Sequence, residues 1–305
     1  MKIAVTSPSF SKHPNLIAEM ETSFSDFKLN TNGKRFTESE LIKYLTGYDA
    51  VIVGLDEINK KVIDALPQLK IVSKYGVGLN NIDLEYCKVK SIKIGWTGGV
   101  NKLSVAEMVI GNAISLLRNL YVSSNNLTKG HWIKNGGQQL SNKTVGIIGV
   151  GHIGKEVIRL LKSFECNILV NDIIDQENYY KSVGVKSVGK DDIFALSDIV
   201  TIHTPLTSET SGLIDVNTLS KMKKDAIIIN TARGGIVNQH DLIYSLTKNK
   251  IGGASLDVYD CEPVTDQELL SIPNLINTPH IGGNSKEAVQ AMGLSAISHI
   301  KNFMK

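Results

Sequence analysis

The chain has 305 residues, enough for two domains with separate cores. Its 33 basic and 30 acidic residues leave a formal net charge of +3. That near balance argues against a nucleic-acid partner or an acidic membrane surface. Three cysteines, Cys87, Cys166 and Cys261, are odd in number and lack metal-ligand spacing, so they imply reduced thiols, no disulfide framework and no metal site.

The N-terminal residues enter a strand directly, Ile3–Thr6, without the long apolar core of a signal peptide. Ala50–Val53, Leu69–Ser73 and Ile92–Ile94 read as further strands, with Glu38–Leu45 and Lys60–Leu66 as helices between them. Asn101–Thr128 is the longest helical pattern, and its broad apolar face suits a helix packed between domains or across a subunit interface. Its apolar stretch Met108–Leu117 lies between Glu107 and Arg118 and is too short to cross a bilayer. A soluble, cytoplasmic protein is expected. From Thr144 onward strands and helices alternate. The strands are Thr144–Ile148, Ile168–Asn171, Ile199–His203, Ala226–Asn230, Gly253–Leu256 and Leu275–Asn277, with helices such as Asp215–Met222 and Asn238–Thr247. Such alternation predicts an α/β protein of two doubly wound parallel sheets. No Pro- or Ser-rich linker separates them, which implies a hinge built on element ends.

The most specific motif is Gly149-Val150-Gly151-His152-Ile153-Gly154. A buried strand precedes it, an apolar helical pattern over Lys155–Phe164 follows, and the next strand ends at Asp172. A lone glycine triplet carries little information, but strand, turn, helix, strand and terminal acid together mark a dinucleotide site. The first glycine permits the tight turn, the second lets a pyrophosphate approach the backbone, and the third packs helix against strand. Unpaired N–H groups at the helix start favour phosphate. Asp172 suits a ribose 2′-hydroxyl and repels a 2′-phosphate, and Ile173 and Ile174 offer that phosphate no cation. NAD is therefore expected over NADP.

Ligands of doubly wound sheets bind at the carboxyl ends of the strands. The polar residues there are His203-Thr204-Pro205, Thr231-Ala232-Arg233-Gly234-Gly235, Asp257 and Thr278-Pro279-His280. They are predicted to share one rim with the glycine turn. Arg233, followed by two glycines that leave its guanidinium little shielded, is suited to grip a planar carboxylate with two parallel hydrogen bonds. His280, a residue type that titrates near neutrality, suits an acid/base. Glu262, in Asp260-Cys261-Glu262-Pro263, is a candidate to orient the imidazole. Sequence spacing alone does not bring the two together. A nicotinamide site with these three groups describes hydride transfer on a 2-hydroxy or 2-keto acid.

The chain resembles the D-isomer-specific 2-hydroxyacid dehydrogenase family. Ordered matches run through nearly its whole length. They are Tyr75-Gly76-Val77-Gly78-Leu79-Asn80-Asn81-Ile82-Asp83, Gly99-Val100-Asn101 with Ser104-Val105-Ala106-Glu107, the glycine turn, and the four rim segments. The resemblance implies that Arg233 binds the substrate carboxylate, His280 is the acid/base and Glu262 tunes it. NAD would rest on Gly149, Gly151, His152, Ile153, Gly154 and Asp172, and on His203, Thr204 and Pro205. Thr231, Ala232, Arg233, His280, Gly282 and Gly283 would complete its site, with Asp257 meeting the nicotinamide carboxamide. Val77 and Gly78 would border substrate and cofactor.

The resemblance further implies a Rossmann cofactor domain over 102–283 and a flavodoxin-like substrate domain over 1–101 and 284–305. It also implies a homodimer formed through the helix near Asn101–Thr128. Few residues follow His280, so the regulatory domain of long phosphoglycerate dehydrogenases is expected to be absent. Formate is disfavoured, because formate dehydrogenases of this family carry Gln in place of Glu262. Lys74 stands where many members have Arg, which makes D-3-phosphoglycerate the leading substrate. Glyoxylate, hydroxypyruvate or another unphosphorylated 2-keto acid is the alternative. The family also contains NAD-binding transcriptional corepressors that keep the same three residues, so an interaction protein is the reading from another class. The compact chain without extended tails favours the enzyme.

Overall fold

Short apolar runs that stop at polar residues form strands covered on both faces. The computed structural model describes residues 1–305 and places these runs in two sheets, each entirely parallel. The chain forms two compact units, Met1–Asn101 with Asn284–Lys305, and Lys102–Gly283. No helix is long and apolar enough to cross a membrane.

The first unit contains β1 (Ile3–Val5), β2 (Phe27–Leu29), β3 (Ala50–Val53), β4 (Ile71–Lys74) and β5 (Lys93–Gly95). Their spatial order is β2-β1-β3-β4-β5, the flavodoxin-like arrangement. Side chains alternate between the two faces of the sheet. Ile3, Val5 and Ile52 join Phe10, Leu16 and Met20 on one side, and Ala4, Val51 and Val53 join Leu41 and Leu45 on the other. The C-terminal helix, Lys286–Phe303, lays Met292, Ala296, Ile297 and Ile300 into the first of these cores. Ser285 starts that helix by accepting the Ala288 amide at 3.1 Å.

The second unit contains β6 (Thr144–Ile148), β7 (Asn167–Asn171), β8 (Lys186–Ser187), β9 (Ile199–Ile202), β10 (Ile227–Asn230), β11 (Gly253–Leu256) and β12 (Leu275–Asn277). Their order is β12-β11-β10-β9-β6-β7-β8, the Rossmann arrangement with one further strand. The chain winds outward from β6 to β8 and then returns to β9, so the point where the winding reverses lies between β6 and β9. Register decides what is found there. Ile148 is level with both Asn171 and Ile202, Ile202 with Asn230, Asn230 with Leu256, and Leu256 with Asn277. The residues that follow, Asp172, Gly149, His203, Thr231, Asp257 and Thr278, therefore lie along one edge of the sheet.

The elements differ from the sequence expectation at several points, among them the helices Pro14–Ser23 and Leu84–Val89, which were not anticipated. The strands β2 and β8 were not expected, because they are only three and two residues long and have no fully buried position. The long pattern over Asn101–Thr128 is two helices, Lys102–Leu117 and Leu120–Thr128. Asn119 separates them at φ +52°, a left-handed conformation that asparagine tolerates better than most residues. The helix expected from Lys155 begins earlier, at His152, with Gly151 as its N-cap.

Candidate active site

The glycine turn follows β6 without slack. Gly149 has φ +93°, and a Cβ there would stand 2.6 Å from the His203 carbonyl oxygen, so only glycine allows the turn against the end of β9. A Cβ on Gly154 would meet the Gly149 carbonyl at 2.2 Å, which explains how the helix packs against the turn. Gly151 is different, because a Cβ there would meet nothing within 4 Å. It faces open space at the start of helix His152–Leu161, whose first turn has no side-chain cap. Those amides and the helix dipole suit a pyrophosphate. His152 is exposed and Ile153 half-buried at the same end.

Asp172 is partly exposed beside this turn. Its Oδ2 accepts the Val150 amide at 2.5 Å and its Oδ1 the Ile174 amide at 2.8 Å. The carboxylate therefore braces the glycine turn, a role the sequence does not reveal. Ile173 is almost completely exposed.

Along the rim, His203 Nε2 lies 3.0 Å from the Thr201 hydroxyl, while its Nδ1 is buried without a protein partner. Burial pushes the imidazole from its usual 6.5 down to about 3. Thr204 Oγ1 and Thr231 Oγ1 are likewise buried and unpartnered. Buried polar atoms rarely stay unpaired, and three of them sit where residues after β9 and β10 flank the glycine turn. Together with the open space at Gly151 they fit a polar ligand of dinucleotide type. Pro205 is exposed and Ala232 buried on the same rim.

The residues read as chemical lie on the loops after β10, β11 and β12. Asn230, buried at the end of β10, holds the Arg233 carbonyl through Nδ2 at 2.7 Å and the Ala232 amide through Oδ1 at 3.0 Å. This fixes Arg233 in extended backbone, with its Nη1 donating to the Ala232 carbonyl at 2.6 Å. Burial lowers the guanidinium's pKa, and the negative charge of Glu262 works in the opposite direction. Glu262 Oε2 lies 2.8 Å from His280 Nδ1, and its Oε1 accepts the Tyr259 amide at 3.2 Å. The structure thus brings Glu262 and His280 into contact and places Arg233 within electrostatic reach of the pair.

Asp257 is only 1 % exposed and takes hydrogen bonds from the Thr278 hydroxyl and the amides of Ile281 and Gly282. Its carboxylate is occupied by the loop that carries His280, where the sequence suggested only a nicotinamide contact. Gly282 is buried, and Gly283 ends the unit. The sequence reading missed Asn230 and Tyr259. The signal for Asn230 was available, since an amide closing the apolar run Ile227–Ile229 has to be hydrogen-bonded. Tyr259 keeps its hydroxyl within 3.3 Å of Leu256 O, Thr278 O and Asn277 Oδ1, contacts that no local pattern announces.

Lys74, Val77 and Gly78 belong to the first unit. Val77 and Gly78 are half-buried, and the Val77 carbonyl accepts the Trp96 indole N–H at 2.8 Å. Lys74 departs from expectation. It is 5 % exposed, and its ammonium donates to the Gly54 carbonyl at 2.5 Å and to Asn81 Oδ1 at 2.6 Å. A lysine whose stem packs beneath Gly76 must give its buried charge to nearby acceptors. The ammonium is turned into the protein and offers little surface to a phosphate.

The sequence model of the D-isomer specific 2-hydroxyacid dehydrogenase NAD binding domain matches residues 110–282, more than half of the chain. The chain belongs to the D-isomer-specific 2-hydroxyacid dehydrogenase family. The hydroxypyruvate reductase of Thermotoga maritima is 34% identical over 279 residues, covering 90% of each chain. The D-3-phosphoglycerate dehydrogenase of Archaeoglobus fulgidus is 35% identical over 273 residues, covering 88% of this chain and 52% of its own. Among solved structures, the pyruvate reductase of Chlamydomonas reinhardtii superposes with a TM-score of 0.85 at 26% identity, covering 99% of this chain and 95% of its own. As a 2-hydroxyacid dehydrogenase the protein is an NAD-binding oxidoreductase, and its family acts on small 2-hydroxy and 2-keto acids.

Two outcomes follow for this dehydrogenase. A Cβ on Gly234 would lie 2.1 Å from the Tyr259 carbonyl oxygen, whereas one on Gly235 would meet only the Leu206 methyls at 3.4 Å. Gly234→Ala should therefore lower kcat/KM at least tenfold and Gly235→Ala by less than threefold; equal effects in steady-state kinetics would contradict the backbone contact. The second concerns acid stability. The unfolded His203 gains its proton near pH 6.5 and the folded one near 3. The unfolded state thus binds more protons across this window, and stability falls as pH drops from 6.5. Urea unfolding without cofactor should show about 1.6 kcal/mol less stability at pH 5 than at 6.5 from this group, and His203→Gln should remove that component. An unchanged pH dependence in the variant would count against it.

Proposed function

We propose that the protein interconverts a small, unphosphorylated D-2-hydroxy acid and its 2-keto acid, with Arg233, Glu262 and His280 as the chemical groups. The observation that carries this reading is the 2.8 Å contact between Glu262 Oε2 and His280 Nδ1 beside Arg233. A carboxylate only accepts, so Nδ1 carries the shared hydrogen. His280 Nε2 is then the atom that exchanges a proton with the substrate C2 oxygen. In the direction of reduction the protonated imidazole donates it, and in oxidation the neutral ring accepts it. Arg233 holds the substrate carboxylate and so sets which face of C2 is presented. A bound nicotinamide cofactor would supply the hydride to C2 in its reduced form, NADH, and take it up in its oxidised form, NAD+. Gly149, Gly151 and Gly154 with the following helix would hold its pyrophosphate, and Asp172 its adenosine ribose, which favours NAD over NADP.

The substrate preference rests on Lys74. Phosphoglycerate would call for a cation presented to solvent, and this ammonium is spent on Gly54 and Asn81. Glyoxylate, hydroxypyruvate and pyruvate, held by Arg233 alone, accord better with that geometry. We further infer a homodimer. Helix Leu120–Thr128 buries none of its residues, and Leu120, Tyr121, Leu127, Trp132 and Ile133 are exposed along it and just beyond. An apolar surface of this kind is covered in solution.

NADH oxidation followed at 340 nm with a panel of 2-keto acids tests the reading. Turnover is expected with at least one small unphosphorylated acid, faster than with 3-phosphohydroxypyruvate, and His280→Ala should lower kcat by about two to four orders of magnitude. Preference for the phosphorylated acid would restore the phosphoglycerate reading, and turnover of none would favour a corepressor-like binding role. Sedimentation equilibrium should give twice the 33.3 kDa chain mass; a monomer at micromolar concentration would remove the dimer.

A further inference from the structure

His280 adopts φ +54°, one of the few non-glycine residues of this chain in the left-handed region. That conformation is unfavourable for an L-residue and persists only where neighbouring contacts enforce it. Those contacts converge on one side chain. Asp257 Oδ1 accepts the Thr278 hydroxyl at 2.7 Å and the Ile281 amide at 2.8 Å, and Oδ2 accepts the Gly282 amide at 2.7 Å. The carboxylate thus grips the chain two residues before His280 and one and two residues after it. Inside that grip the His280 amide turns back to the Thr278 carbonyl at 3.0 Å. A further contact lies just outside it, where the Ser104 hydroxyl donates to the Gly282 carbonyl at 2.6 Å.

We propose that Asp257 is a positioning residue of the reaction. It closes the loop around His280, fixes the left-handed turn, and so holds the imidazole against Glu262. This rests on the reading of His280 as the proton-exchanging residue. The residue type is specific to the task. Three donors point at the side chain, and a carboxylate accepts through both oxygens without offering a hydrogen. Charge-assisted bonds of this kind are about twice as strong as neutral ones. Asparagine has the same size and shape, but its NH2 would face at least one of the three donors. Every group gripped by the carboxylate belongs to the loop itself, so this role does not depend on bound dinucleotide.

The test uses the full-length enzyme with NADH and the best keto acid of the panel. Asp257→Asn is expected to lower kcat at least tenfold, while KM for the keto acid and the NADH dissociation constant, read by fluorescence titration, stay within about threefold. Thr278→Val, which removes one of the three bonds and leaves the carboxylate in place, should lower kcat by a smaller factor in the same pattern. It also serves where Asp257 variants fold poorly. The decisive measurement is the double variant. If Asp257 acts through His280, adding Asp257→Asn to His280→Ala costs less than threefold beyond His280→Ala alone. A full multiplicative loss in the double variant overturns the proposal, as does a kcat restored to the wild-type value by saturating NADH, which would make Asp257 a cofactor ligand only. Wild-type kcat in Asp257→Asn with an inactive His280→Ala overturns this inference alone. Wild-type kcat in His280→Ala overturns the reading of His280 itself.

Discussion

The register of the parallel sheet in the second unit is the constraint on which the site depends. Parallel strands all end at the same edge, and here six of them end level. The ladder continues one step past the strands. The Gly149 amide bonds to the Asn171 carbonyl, His203 to Ile148, Asp257 to Asn230, and Thr278 to Leu256, at 2.7–3.0 Å. Backbone hydrogen bonding therefore places the glycine turn, the buried imidazole, the arginine loop and the histidine loop side by side before any side chain contributes. A slip of one residue in any strand would point its last side chain to the opposite face and break this alignment.

On that edge, polar side chains at the strand ends shape the loops. Asn230 holds the Arg233 loop, Asp257 the His280 loop, and Asp172 the glycine turn. Each sits at or one residue past the end of its strand, where apolar packing gives way to exposed chain. Each takes up main-chain groups that burial would otherwise leave unpaired. The groups read as chemical, Glu262 and His280, are more exposed. Rigidity and reactivity are thus divided between neighbouring residues, the first below the rim and the second on it. The family match over residues 110–282 spans the glycine turn and every strand of this sheet.

Much of this was legible in the sequence because the signals are local. Strands such as Ile227–Asn230 are continuous apolar runs ending at polar residues, and the glycine turn declares itself by spacing. Where local signals are weak, the reading faltered. The edge strands β2 and β8, of three and two residues with no fully buried position, are too short to reveal themselves. The break at Asn119 looks helical in sequence because apolar residues continue past it at helical spacing. The structure supports it instead from a distant segment, where the Gln138 amide bonds to the Leu117 carbonyl at 2.8 Å and Arg118 Nε to the Gly136 carbonyl at 2.8 Å.

The amino-acid sequence by itself determined the two parallel α/β sheets, the position of the dinucleotide turn and the residue types at the strand ends. These follow from periodicity, glycine stereochemistry and the polarity step where a buried strand stops. Tertiary structure decided how those residue types are used. Lys74 reads as a free cation and is enclosed by Gly54 and Asn81, and Asp257 reads as a ligand contact and grips three groups of its own chain. Glu262 and His280 meet although 18 positions separate them. Each of these outcomes depends on which acceptors and donors a side chain finds once strands far apart in sequence are set in register. Burial then makes pairing obligatory, and no local pattern encodes the partner.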